Sequence, residues 1–110
     1  SAPNPSETAL AALGSCISVG MLANATHRGV TLTKIEVEME GDIDISAVWG
    51  VGDTPDGKLL GFSAVRCTVT LAADVDEATL KEIHDNAIAW SPVVNTFRNP
   101  VSVDSTLCTG

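Results

Sequence analysis

Basic residues are scarce in this chain. Six Lys and Arg stand against fourteen Asp and Glu, for a formal net charge of −8. The six (Arg28, Lys34, Lys58, Arg66, Lys81 and Arg98) are scattered along the chain. Holding a phosphate backbone needs clustered cations, so nucleic acid and anionic membrane surfaces are excluded as partners. No uninterrupted apolar run reaches the roughly 18 residues of a membrane helix, and no membrane span is expected. No charged stretch followed by an apolar one opens the chain, so nothing marks it for secretion. Cysteines number only three. Cys16, Cys67 and Cys108 are spaced too widely for a zinc site, and their odd count suits no disulfide framework. The compartment this implies is a reducing cytoplasm. A glycine-rich phosphate loop is missing, and neither His27 nor His84 has a second histidine at metal-ligand spacing. No cofactor and no metal are expected.

What is present is apolar and patterned. The 110 residues are 45 % hydrophobic, which predicts one domain over residues 1–110 with a real core. Asn4-Pro5-Ser6-Glu7 reads as a helix start, with Asn4 as cap, Pro5 at the first helical position and Glu7 in capping-box register. The segment from Pro5 to about Thr26 is apolar or small on nearly every side, which predicts a helix buried all round. Gly14 and Gly20 lower its helix propensity, so they are expected to permit close backbone approach. His27-Arg28-Gly29 closes it.

From Thr31 to Ile45, Ile35, Val37 and Met39 alternate with Glu36, Glu38 and Glu40, the pattern of a half-buried strand. Residues Ser46–Gly61 read as a long loop with one ordered turn, and Thr54-Pro55-Asp56-Gly57 as a turn signal. Phe62–Leu71 is a second strand with Val65, Cys67, Val69 and Leu71 on one face. A helix capped by Asp74 or Asp76 runs to about Trp90, and Ser91-Pro92 breaks it. A short turn is expected over Val93–Phe97, then a last strand over Val101–Leu107 with Val101 and Val103 inward. The order of helix, strand, strand, helix, strand points to the α+β class.

Cys16 is the main candidate for chemistry, and it has two readings. Free cysteine is among the most buried residue types, which makes it a small core residue. As a reactive thiol it would need help, because the thiolate is the nucleophile and a helix dipole fades within the first turn. A cation from elsewhere in the fold would be required. Cys67 reads as structural, Cys108 as a bystander, and His27 and His84 as helix-surface or helix-end residues. The row Glu36, Glu38, Glu40, Asp42 and Asp44 reads as a solvated strand face.

Taken together, Asn4-Pro5-Ser6-Glu7 and Leu10-Ala11-Ala12-Leu13-Gly14-Ser15-Cys16 resemble the first signature of the OsmC/Ohr family of organic hydroperoxide reductases. That signature is Asn-Pro-Glu followed by an Ala-rich helix ending in Cys. Glu40-Gly41-Asp42-Ile43-Asp44 and Gly61-Phe62 fit the strands between. Ser91-Pro92-Val93-Val94-Asn95-Thr96 is similar to the second signature, normally Cys-Pro-Val-x-Asn. The resemblance implies an antiparallel sheet with a buried central helix in an intertwined homodimer. It also implies that Cys16 attacks a peroxide oxygen to give a sulfenic acid, the first step of cysteine oxidation, with Arg and Glu in support.

The chain departs from that pattern in three places. Ser91 stands where the resolving cysteine would be, and serine cannot form a disulfide. The supporting Glu aligns with Ser6, next to Glu7. The family's Arg belongs to N-terminal strands absent from this chain, which leaves Arg98 as a substitute. The implied site is therefore Cys16, Ser91 and Glu7, with Ser91 within several ångströms of Cys16. Cys16 is expected nearly buried, on the floor of a pocket that a second subunit helps to close. The expected function is a one-Cys peroxidase reset by an external thiol reductant. The alternatives are an OsmC-fold hydrolase using Cys16 or Ser91 as nucleophile, and a non-catalytic dimer binding a small apolar ligand. A chain that opens at Ser1 is also expected to have a separate N-terminal polypeptide that completes the sheet, since open sheet edges invite pairing.

Overall fold

The computed structural model describes residues 4–46 and 48–110; the expectation attached to Ser1 lies outside them. The chain is α+β, in the order α1 (Pro5–His27), β1 (Leu32–Ile43), β2 (Phe62–Ala73), α2 (Glu77–Trp90) and α3 (Pro92–Arg98). β1 and β2 form a two-stranded antiparallel sheet.

The strand alternation sets which face is wet. Ile35 pairs with Leu71, Val37 with Val69 and Met39 with Cys67, while Glu36, Glu38 and Glu40 face Thr70, Thr68 and Arg66. The first set is half-buried, and all of it but Ile35 packs against the core; the second is exposed. On the wet face the Arg66 guanidinium bonds both Asp42 oxygens, at 2.8 and 2.9 Å, and reaches Glu40. Those bonds hold the Asp42 carboxyl below its ordinary range. The loop between the strands holds one 3-10 turn, Val48–Gly50, in which Trp49 takes φ 68°. It also holds a turn at Asp56-Gly57 with Gly57 at φ 73°, the conformation glycine adopts without a Cβ penalty.

α1 starts as its sequence predicts: Asn4 Oδ1 accepts the Glu7 N–H at 2.8 Å, with Pro5 at the first helical position. Its burial differs from the expectation. Leu13, Ile17, Met21 and Ala25 are buried, four residues apart on one stripe, whereas Val19 and Leu22 are 65 % and 54 % exposed. Among the described residues there is a single sheet and one helix pair for α1 to pack against, so only one stripe is covered. The stripe meets Ile83 and Ala87 of α2 and Val94 of α3 in the core. Gly20 lets the backbones close up: a Cβ there would lie 3.3 Å from the Ala87 Cβ. At 23 residues, with a mean hydropathy of 1.5 over its most apolar window, α1 has the length and composition of a membrane helix without an uninterrupted apolar run. Here one stripe of it packs into the core.

Two expectations at the C-terminal end are corrected. The short turn over Val93–Phe97 is the helix α3: Ser91 Oγ accepts the Val94 N–H at 3.2 Å, and Pro92 opens the first turn. Proline ends one helix and is also pre-organised to start the next. The last strand does not form, and residues 99–110 carry no regular structure. Val101 is 57 % exposed, and Val103 and Leu107 are 85 % exposed. Alternation makes a strand only where a neighbour supplies hydrogen bonds, and the sheet contains β1 and β2 alone.

Candidate active site

Ser91 is the joint between two helices. It caps the C-terminus of α2 through its N–H to Ile88 O, and the N-terminus of α3 through its side chain. Asn95 pins the joint, donating from Nδ2 to Ala89 O at 3.0 Å and to Ser91 O at 2.8 Å. Ser91 is 4 % exposed and is the buried polar residue among the described ones. A buried hydroxyl needs partners, and it has two: the Val94 N–H and the Cys16 thiol, whose Sγ lies 3.1 Å from Ser91 Oγ.

That contact arises because Cys16 flanks the buried stripe of α1, one residue before Ile17. It is half-buried rather than nearly buried within one chain. With one oxygen lone pair taken by Val94, the Ser91 O–H is free to donate to sulfur, and a thiol proton could equally go to the other lone pair. Only the first arrangement serves a thiolate.

Glu7 is not brought to this pair by its own chain. It lies nine residues before Cys16, about two and a half helical turns, on the opposite face of α1. It is exposed and bonded to Asn4. Arg98, at the end of α3, lines a separate cleft with Leu13, Ile17, Cys67 and His84. Burial pushes the Cys67 thiol up, which keeps it neutral and suits its structural role. His84 is engaged with Asp85, 2.8 Å from Nδ1 to Oδ1, and Cys108 is exposed at the tail. All three cysteines are free. Among the described residues no group of His, Cys, Asp and Glu could hold a metal. Sequence reasoning missed the role of Asn95, whose signal was an amide four residues after a helix-capping Ser.

The profile of the family described as OsmC-like protein matches residues 1–106. The chain belongs to the OsmC-like protein family. A solved structure agrees on the fold: the OsmC like protein from Mycoplasma pneumoniae superposes with a TM-score of 0.73 at 17 % identity. The match covers 89 % of this chain and 64 % of that one, so this OsmC-like chain spans less than two thirds of its structural neighbour. No curated protein matches.

Proposed function

We propose that this OsmC-like chain reduces organic hydroperoxides in one-Cys fashion, with Cys16 as the peroxidatic thiol and Ser91 as its hydrogen-bond donor. The observation that carries this reading is the 3.1 Å contact between Cys16 Sγ and Ser91 Oγ. The Cys16 thiolate attacks the terminal oxygen of R–O–OH; an S–O bond forms and the O–O bond breaks. Cysteine becomes a sulfenic acid, two electrons pass to the peroxide, and the alkoxide takes a proton to leave as the alcohol. An external thiol then condenses with the sulfenic acid, releasing water, and a second thiol frees Cys16 as the reductant disulfide departs. Serine at position 91 cannot close a disulfide with Cys16, which is why the thiol that resolves the sulfenic acid comes from outside.

In this reading the chain works as a cytoplasmic homodimer. The exposed Val19 and Leu22 of α1 support a second subunit covering that face, where Glu7 could come to the partner's site. A further polypeptide pairing with the open edges of the β1–β2 sheet belongs to the same proposal. Hydrolysis is less well supported. Nucleophilic catalysis needs an adjacent base, and among the described residues no histidine or carboxylate hydrogen-bonds Cys16 or Ser91.

The test is turnover of cumene hydroperoxide with dithiothreitol in excess. Consumption that Cys16→Ser abolishes is the expected result. Undiminished consumption by Cys16→Ser would contradict it, as would none by the native chain.

A further inference from the structure

We propose that the cleft at Arg98 is a second binding site, separate from the Cys16–Ser91 pair, for a small amphipathic monoanion: a carboxylate carrying a small apolar body. Two observations carry this. Arg98 is the one Lys or Arg among the described residues with no carboxylate in ion-pairing reach; Arg28, Lys34, Lys58, Arg66 and Lys81 each have one. In a chain with a net charge of −8, a lone guanidinium without a partner is the exception. The second observation is where it stands. Arg98 lines a cleft of about 300 Å³ whose other walls are mostly apolar, among them Leu13, Ile17, Met39, Ile88 and Phe97.

Leu13 and Ile17 are 4 % and 1 % exposed and form the deep end, while the exposed Arg98 marks the mouth. The volume is at the small end of ligand pockets, which limits the ligand's body. A single planar guanidinium matches one carboxylate through two parallel hydrogen bonds; a doubly charged phosphate would call for further cations, and none line the cleft. No fixed negative charge opposes the anion either. The cleft's thiol, Cys67, is held neutral by burial, and His84 turns its Nδ1 to Asp85. Cys16 does not line the cleft, so this site would not be where the thiol reacts.

The chain's two methionines make the test direct. Met39 lines the cleft, and Met21 is fully buried in the core away from it. The 110-residue chain, labelled at its methionine methyls, is titrated with octanoate and with 1-octanol below their aggregation limits and followed by NMR. Octanoate is expected to shift the Met39 methyl saturably at one site per chain and to leave Met21 in place. Octanol should bind at least tenfold more weakly. Arg98→Gln should remove that difference, Arg98→Lys should restore part of it, and Cys16→Ser should leave octanoate binding unchanged. Equal binding of acid and alcohol, octanoate binding indifferent to Arg98→Gln, joint movement of both methyls, or no saturable shift would each overturn the proposal. Loss of binding in Cys16→Ser would overturn the separateness of the two sites.

Discussion

Cys16 Sγ and Ser91 Oγ lie 3.1 Å apart although 75 residues separate them in the chain. The contact depends on two local devices: the stripe of α1 that turns Cys16 toward α3, and the double cap that buries Ser91 where two helices meet. A sulfur in place of the Ser91 oxygen would thus start within bonding range of Cys16. The Ser91→Cys variant is expected to form an intramolecular disulfide under mild oxidation, seen as loss of two free thiols without a dimer band on a non-reducing gel. Retention of all four thiols would show that the two side chains do not meet in solution.

Removing the hydroxyl tests its role at sulfur. Hydrogen bonds to charged groups contribute about 1.5–3 kcal/mol, so Ser91→Ala should slow the reaction of Cys16 with an electrophile about tenfold or more. The Val94 N–H would also lose its cap, so the comparison includes Ser91→Thr, which keeps both bonds and should react near the native rate. Equal rates for the alanine and native chains would remove Ser91 from the chemistry.

Much of this was legible in the sequence, for identifiable reasons. Strict alternation at Ile35–Glu40 and Val65–Thr70 set the faces of β1 and β2, because a period of two has one solution. Asn4-Pro5 marked one helix start and Asp74 or Asp76 another, because a side-chain oxygen before a helix has orphan N–H groups to meet; the structure puts the second cap at Asp76. The tail was not legible: Val101 and Val103 alternate like strand residues, but pairing depends on a partner that pattern alone cannot supply. All-round apolarity of α1 misled in the same way, since how much of a helix is buried depends on what surrounds it. Of the site residues, Cys16 and Ser91 come together, whereas the register of Glu7 at the helix start places it on the far side of α1.

The core stripe sets stability. Met21 and Ile83 are both fully buried, and truncating such a side chain leaves a cavity that neighbours fill only in part. Met21→Ala should cost about 2–5 kcal/mol, measured by urea denaturation with an unchanged slope. A cost under about 1 kcal/mol would mean that α1 is loosely packed there.

Stability should also fall in acid. Thr79 holds the Asp76 carboxyl below its ordinary 3.8 through a side-chain and a backbone hydrogen bond. Lys81 and His84 hold Asp85 down, and Arg66 holds Asp42 down. A carboxylate with a depressed folded value contributes stability above its unfolded value, and that contribution disappears as pH falls through the folded value. Thermal midpoints should therefore drop between about pH 5 and about pH 3. Asp76→Asn, which keeps an N-cap acceptor, should flatten part of that drop. An identical acid profile in the variant would show that the Asp76 cap does not contribute to it.

The most direct measurement is site-resolved oxidation. The chain is treated with one equivalent of cumene hydroperoxide in the presence of dimedone, and peptides bearing Cys16, Cys67 and Cys108 are mapped by mass spectrometry. The predicted result is a sulfenic-acid adduct on Cys16, complete before exposed Cys108 or neutral Cys67 has reacted, and at least about tenfold reduced in Ser91→Ala. An unmodified Cys16, or oxidation that tracks exposure and falls first on Cys108, would contradict the account.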